Sequence, residues 1–509
     1  MHCFAWIVWI ALLLTLLPGC RNDHYELVVL RSQVRELQRQ VEKLESLSRS
    51  ADRDDMQQRL VQMESELIRL QQQLSSLENG IGTAAVPPTL EDSGGGTFVL
   101  DDRDATAGSG PSPPETAAAA ALEAAGAQLE RDDSGHVTGV VATEFPLEYE
   151  VIVQLRDLPQ IRRLAVSGPW VTPEMFDVFG ELTTLDRLEL DVTIANTELL
   201  GKLTGLEELT YIQLFRTDID DDSLAVLARF PDLQQIRCGQ TRVGDAGLEH
   251  LKQLESLRAI DLSDCNRVSS AGVAALANLP RLKFLKVWGP QISDVAMESI
   301  ARMSALEVLG LNDTQVTDNG MQKLANLKSL KEVHLARTRI GDRTLEVLSR
   351  LPDIQTLRLR DTQLSDAGLE SLARIRGLQR LDLSENSSPG ISDTGLAHLK
   401  SLPQLQELNL WTTDISDQGV ATLTGHQHLS WLNLDKTRIT DQACQTLVQM
   451  PQITWLHLGS NQLTDAAVPS LVQLPNLQYL NLSHTGVSQQ AFFDIDDVVS
   501  QRGGIVIPP

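Results

Sequence analysis

Hydrophobic positions recur along most of this chain with a fixed period. The last apolar residue of each L-x-x-L-x-L unit falls at Val166, Leu190, Leu214, Cys238, Leu262, Val287, Leu311, Leu335, Leu359, Leu383, Leu410, Leu434, Leu458 and Leu482. These fourteen reference positions lie 24 residues apart, except for one gap of 25 and one of 27. The extra residues fall in Ser263–Val268 and in Glu385–Gly390, after the strand, where a stacked array tolerates insertions. Such a period marks a solenoid, in which each unit buries its apolar face against its neighbours.

One unit shows the pattern. Ile354 to Leu359 ends in alternation, which sends Leu357 and Leu359 inward and Arg358 outward. Thr362 and Leu364 follow. Ser365-Asp366 then offers a helix N-cap, whose side-chain oxygen accepts an otherwise unpaired backbone N–H. The helix that starts there carries Leu369 and Leu372 on one face. The Ser/Thr-Asp pair returns at Ser293-Asp294, Thr317-Asp318, Ser392-Asp393, Ser416-Asp417, Thr440-Asp441 and Thr464-Asp465. Pro231, Pro280, Pro352, Pro403, Pro451 and Pro475 each stop a helix just past its last apolar residue.

These residues resemble the leucine-rich-repeat family. The motif L-x-x-L-x-L-x-x-T-x-I-x-D-x-G-L is legible in Leu306–Met321 and again in Leu378–Leu396, where Asn386 replaces the Thr. The ladder position, usually Asn or Cys in that family, is mostly Thr here: Thr193, Thr217, Thr241, Thr314, Thr338, Thr362, Thr413, Thr437 and Thr485. Pro169, Cys265, Pro290, Asn386 and Asn461 are the exceptions. The likeness is to the helix-bearing, ribonuclease-inhibitor-like side of the family, with bacterial relatives, and covers residues 158–492. It implies an α/β solenoid of about fourteen repeats, with a concave parallel sheet and convex helices. It also implies a non-enzymatic scaffold whose ligand is set by exposed positions. Residues 115–157 and 493–509 are expected to cap the array. Within them, Thr116–Ala125 predicts a helix ended by Gly126, and His136–Val141 and Ile505–Ile507 predict strands.

Ahead of the repeats the pattern changes twice. Cys3 to Leu17 is one apolar run of fifteen residues, short for a membrane span, which needs about 20. It ends in Leu17-Pro18-Gly19-Cys20, which resembles a bacterial lipobox. That resemblance implies that residues 1–19 are a signal peptide and that Cys20 is lipidated, anchoring the chain to a membrane. Residues 20–78 carry heptad spacing, first in Leu27, Leu30, Val34, Leu37, Val41 and Leu44, then in Met56, Leu60, Met63, Leu67, Leu70, Leu74 and Leu77. A helix with that stripe must bury it, so we expect a coiled-coil stalk that joins copies into a homo-oligomer. Residues 79–114 are rich in Gly, Pro and Ser and are expected to form a linker.

Composition narrows the function. The net charge of −25 argues against nucleic acid, whose phosphates need a basic surface. Aromatics make up only 4% of residues, so aliphatic side chains must fill the core. Cys238, Cys265 and Cys444 lie in separate repeats and read as buried thiols. No nucleotide, metalloprotease, esterase or EF-hand motif occurs, so no catalytic residue, metal or cofactor is expected. Asp218, Asp220, Asp221 and Asp222 read as capping and solvated acids rather than as a calcium loop.

The residues flanking the inner leucines should face the concave side. Three positions before the reference leucine the last repeats carry Trp431, Trp455 and Tyr479. One position before it stand Asn409, Asn433, His457 and Asn481, and Trp411 follows Leu410. Stacking places equivalent residues about 4.8 Å apart. The expectation is an aromatic platform beside a polar row, suited to a polysaccharide or an extended protein segment. Upstream, His334, Arg337, Arg358, Arg360 and Arg380 cluster, with Arg358 and Arg360 expected to attract an acidic group. The preferred reading is a bacterial cell-envelope lipoprotein, facing the periplasm or cell surface, that binds a ligand on its concave face. A structural envelope protein organised by its coiled coil remains open, as does an F-box-like adaptor or secreted effector.

Overall fold

The computed structural model describes residues 110–386 and 390–509, all within one compact unit, Ala105–Pro509. The apolar run, Cys20, both heptad sets and nearly all of the linker lie outside the described residues. Within them the chain forms one sheet of 17 strands, taken in sequence order. An antiparallel hairpin opens it, Gln128–Arg131 against Val137–Ala142. Fourteen repeat strands follow, from Arg163–Val166 to Tyr479–Asn481, and each pairs in parallel with the next. Ile505–Ile507 adds a last parallel strand beside Tyr479–Asn481. A helical segment connects most successive strands, so the expected α/β solenoid is the observed fold.

The register is that of the 24-residue period. Trp431, Trp455 and Tyr479 are direct neighbours on adjacent strands, as are Asn433, His457 and Asn481. The core lies between sheet and helices. Leu357, Leu359, Leu364, Leu369 and Leu372 of one repeat are all fully buried. Each leucine meets copies of itself above and below, so the array buries a continuous aliphatic column.

Two residues past every reference position the backbone turns through the left-handed region. Gly168 and Gly289 do so with φ of 107° and 135°, and twelve non-glycine residues do so with φ between 48° and 58°. Val192 and Thr412 are β-branched and sit there at φ of 58° and 55°, a conformation such residues strongly disfavour. Inter-repeat bonding holds the turn. The Val192 N–H donates to the Phe215 carbonyl at 2.8 Å, and the Lys436 N–H to that of Gly459 at 2.8 Å.

The threonine ladder has a local role. All nine ladder threonines donate their hydroxyl to the reference carbonyl three residues back, as Thr437 does to Leu434 at 2.8 Å. Asn461 reaches further. Its Nδ2 donates to Leu434 and Leu458 carbonyls at 2.7 and 3.0 Å, and its Oδ1 accepts from the Thr437 N–H at 3.0 Å.

The capping helix starts earlier than its composition suggested. It spans Pro113–Ala124, with Ser112 as N-cap and two prolines in the first turn, inside the stretch assigned to the linker. Proline suits that turn because its missing N–H would be unpaired there anyway.

Candidate functional site

The sheet face opposite the helices displays the residues at positions −3, −1 and +1 relative to each reference residue. On the strands at the C-terminal end this face carries the residues that the sequence singled out. Trp455 and Tyr479 stack with ring centroids 4.6 Å apart and planes at 15°. Trp431 tilts onto His457 at 5.4 Å, and His457 onto Tyr479 at 4.9 Å. The rings therefore make one contiguous cluster, as the common register requires.

That cluster is not the open platform expected. Trp431 and Tyr479 are only 5% and 7% exposed, and Trp455 and Trp411 are half-buried. Strands about 4.8 Å apart bring neighbouring rings into contact, so each ring covers its neighbour. Trp431 and Tyr479 thus belong partly to the protein's own packing. Burial pushes the Tyr479 phenol up to about 12, with the charge of Asp435 adding to the effect.

The polar row is also buried, and its amide oxygens are used internally. Asn409, Asn433 and Asn481 accept through Oδ1 from the N–H two residues on, at 3.1, 2.8 and 2.9 Å. The side-chain nitrogen of Asn481 donates to Asp435 Oδ2 at 3.2 Å. Asp435 also accepts from the Gly459 N–H at 2.5 Å, and its Oδ2 lies 3.7 Å from His457 Nδ1. Asp435 was not singled out from sequence. Its signal was position alone, one residue past Leu434 in the same register as Trp411.

The upstream basic group is largely neutralised. Arg360 pairs with Glu385 at 2.6 Å and lies over the Trp411 ring at 5.0 Å, so Glu385 offsets the charge expected to attract an acidic group. Arg337 forks onto Asp313 through bonds of 2.5 and 2.6 Å. His334 meets Glu332 at 2.5 Å, and burial drops its pKa to about 4, which keeps it neutral at pH 7. Arg380 donates to Thr356 Oγ1 at 3.1 Å. Arg358 is held among Glu332, Asp382 and Glu407, yet its Nε has no partner in the protein.

That last feature is general. Among the described residues, eleven buried side-chain polar atoms lack a hydrogen-bond partner. Nine belong to residues at the −3, −1 or +1 positions: Arg237, Trp288, His334, Arg358, Ser384, Glu407, Trp431, His457 and Tyr479. Buried polar atoms are normally paired, so the unmet polar groups of this domain concentrate on the face opposite the helices.

Comparisons with known proteins agree with the fold. Human Toll-like receptor 9 is 30% identical over 158 residues, which is 28% of this chain and 15% of that receptor. Two solved structures align with much of the chain at low identity. A chain of the yeast Rad7 and Elc1 complex aligns with a TM-score of 0.48 and 18% identity, covering 71% of this chain and 92% of that one. A leucine-rich-repeat protein of Leptospira interrogans aligns at 0.44 and 18% identity, with the same coverages of 71% and 92%. A family model described as a leucine-rich repeat region matches residues 240–501, just over half of the chain. The chain belongs to the leucine-rich-repeat family.

Proposed function

We propose that this chain is a cell-envelope recognition scaffold that binds a protein or glycan ligand on the sheet face opposite its helices. Lipid at Cys20 anchors it to a membrane, and the heptads of residues 20–78 join copies into an oligomer. The observation that carries the ligand-binding reading is the distribution of unmet polar atoms. Nine of the eleven sit on one face, while the helical side is capped and laddered. A ligand supplies the missing partners, and Trp, Tyr and Arg, the residue types richest in binding hot spots, line the same rows.

The test uses the full chain as bait against envelope extract, beside a Trp411→Ala/Trp455→Ala variant. Both rings are half-buried, so their removal disturbs packing less than that of Trp431 or Tyr479. A specific ligand should be retained by the parent and lost by the variant, by about 100-fold if each ring contributes as a hot spot. Equal retention by both would place the site elsewhere.

A further inference from the structure

We infer that the three repeats around Trp431, Trp455 and Tyr479 form a subsite for a neutral saccharide. This deepens the reading of the open sheet face and rests on it.

The first observation is charge. Over these three repeats the −3, −1 and +1 positions contribute one carboxylate, that of Asp435, and otherwise only aromatic, amide, imidazole, hydroxyl or glycine residues. The carboxylate is engaged by the Gly459 N–H and the Asn481 amide. A charged peptide side chain meets no unpaired opposite charge here. Four repeats upstream, by contrast, the same rows hold Glu332, Arg358, Arg380 and Asp382.

The second observation is the set of unmet atoms. Trp431 Nε1, His457 Nε2 and the Tyr479 hydroxyl are buried without a partner, on rings in mutual contact around His457. An indole N–H only donates, whereas a phenol both donates and accepts. Asp435 Oδ2 lies 3.7 Å from His457 Nδ1, and a neutral ring with its proton on that nitrogen presents Nε2 as an acceptor. The cluster therefore asks for a group that donates and accepts at once, which a hydroxyl does. A hydroxyl does both at a single atom, whereas a peptide unit divides donor and acceptor between its N–H and its C=O.

The third is shape. Trp455 is half-buried and stacked on Tyr479. A flat ring beside uncharged donors and acceptors matches a sugar, which presents a C–H face and a hydroxyl edge together.

The experiment titrates the full chain with a panel of neutral oligosaccharides, including cellotetraose, maltotetraose and chitotetraose, by calorimetry at low and high salt. Tyr479→Phe and Trp431→Phe are titrated alongside, because each keeps a ring and removes the unpartnered polar atom. At least one saccharide should bind, with little salt dependence, and each variant should weaken it by about 10-fold. Tyr479→Phe should melt no lower than the parent, since its hydroxyl bonds to nothing within the folded protein. The inference is overturned if no saccharide of the panel binds, or if both variants bind unchanged. If no saccharide binds but a captured protein is lost on Trp411→Ala/Trp455→Ala, the saccharide reading fails and the open-face reading stands. If that capture is unaffected as well, both fail.

Discussion

The carboxylate of Asp342 holds Ser365 of the next repeat twice, accepting from its N–H at 2.9 Å and from its hydroxyl at 2.7 Å. Ser365 in turn caps its own helix by accepting from the Ala367 N–H at 3.3 Å. The N–H half of this link recurs from Asp221–Gly244 to Asp465–Ser488, with Ser270 in place of Asp at one rung, while Gly244 and Gly341 have no hydroxyl to add the second bond. One Ser/Thr-Asp pair thus performs two tasks: its hydroxyl starts a helix and its carboxylate fastens the following repeat.

Asp342→Ala should therefore destabilise more than loss of a helix cap alone, by about 2–4 kcal/mol, because two charge-assisted bonds and their partners are lost. Asp342→Asn keeps one acceptor and should cost less. Denaturant unfolding of both variants measures the difference, and equal stability of Asp342→Ala and the parent would remove the ladder's role.

The left-handed turn at Val192 makes the opposite prediction. A β-branched residue at φ of 58° is strained. Val192→Asn, which tolerates that region, should raise stability by about 1 kcal/mol and the melting temperature by a few degrees. A lower melting temperature would mean that the valine side chain contributes more through packing than it loses through strain.

Asp191 gives a pH dependence with a definite sign. Burial raises its carboxyl to about 6, against bonds from Gln213 and from the Phe215 N–H that favour the charged form. The folded state thus binds its proton more tightly than the unfolded chain does. Ionised Asp191 lowers stability above pH 6, and the loss is relieved as pH falls through about 6 toward 4. Asp191→Asn should stabilise by about 2 kcal/mol at pH 8 and by almost nothing at pH 4. Thermal melts across that range decide it; a gain that grows at low pH would contradict the assignment. His334 works in the opposite direction. Its pKa near 4 lies below the unfolded value, so its burial loses stability as pH falls from about 6.5 toward 4.

Trp431→Ala should lower the melting temperature clearly, at a cost of about 3 kcal/mol, because the ring is 5% exposed and packs on His457. Trp455→Ala should cost less. Sequence alone places both rings three positions before a reference leucine, off the core face, and gives no sign of that difference.

That difference shows where the sequence stops being legible. Repeat number, strand register and the residues of each row follow from spacing, because a fixed period leaves one way to stack the strands. Which rings settle onto one another depends on side-chain packing across strands, and Trp431 and Trp455 occupy equivalent positions with different exposure. The role of Arg360 was hidden in the same way: Glu385 lies 25 residues away and only the stacking brings the two together. The Ser/Thr-Asp pairs were visible as caps, but the inter-repeat bond was not, since its partner is 23 residues off.

Ligand binding on the face opposite the helices leaves a direct mark on backbone exchange. Hydrogen exchange read by mass spectrometry, with and without the ligand that the parent retains, tests it directly. Exchange should slow in the strand segments around Glu407–Asn409, Trp431–Asn433, Trp455–His457 and Tyr479–Asn481 and the turns that follow them. Protection confined to the helices Asp417–Thr422 and Asp441–Leu447, with the strands unchanged, would contradict it.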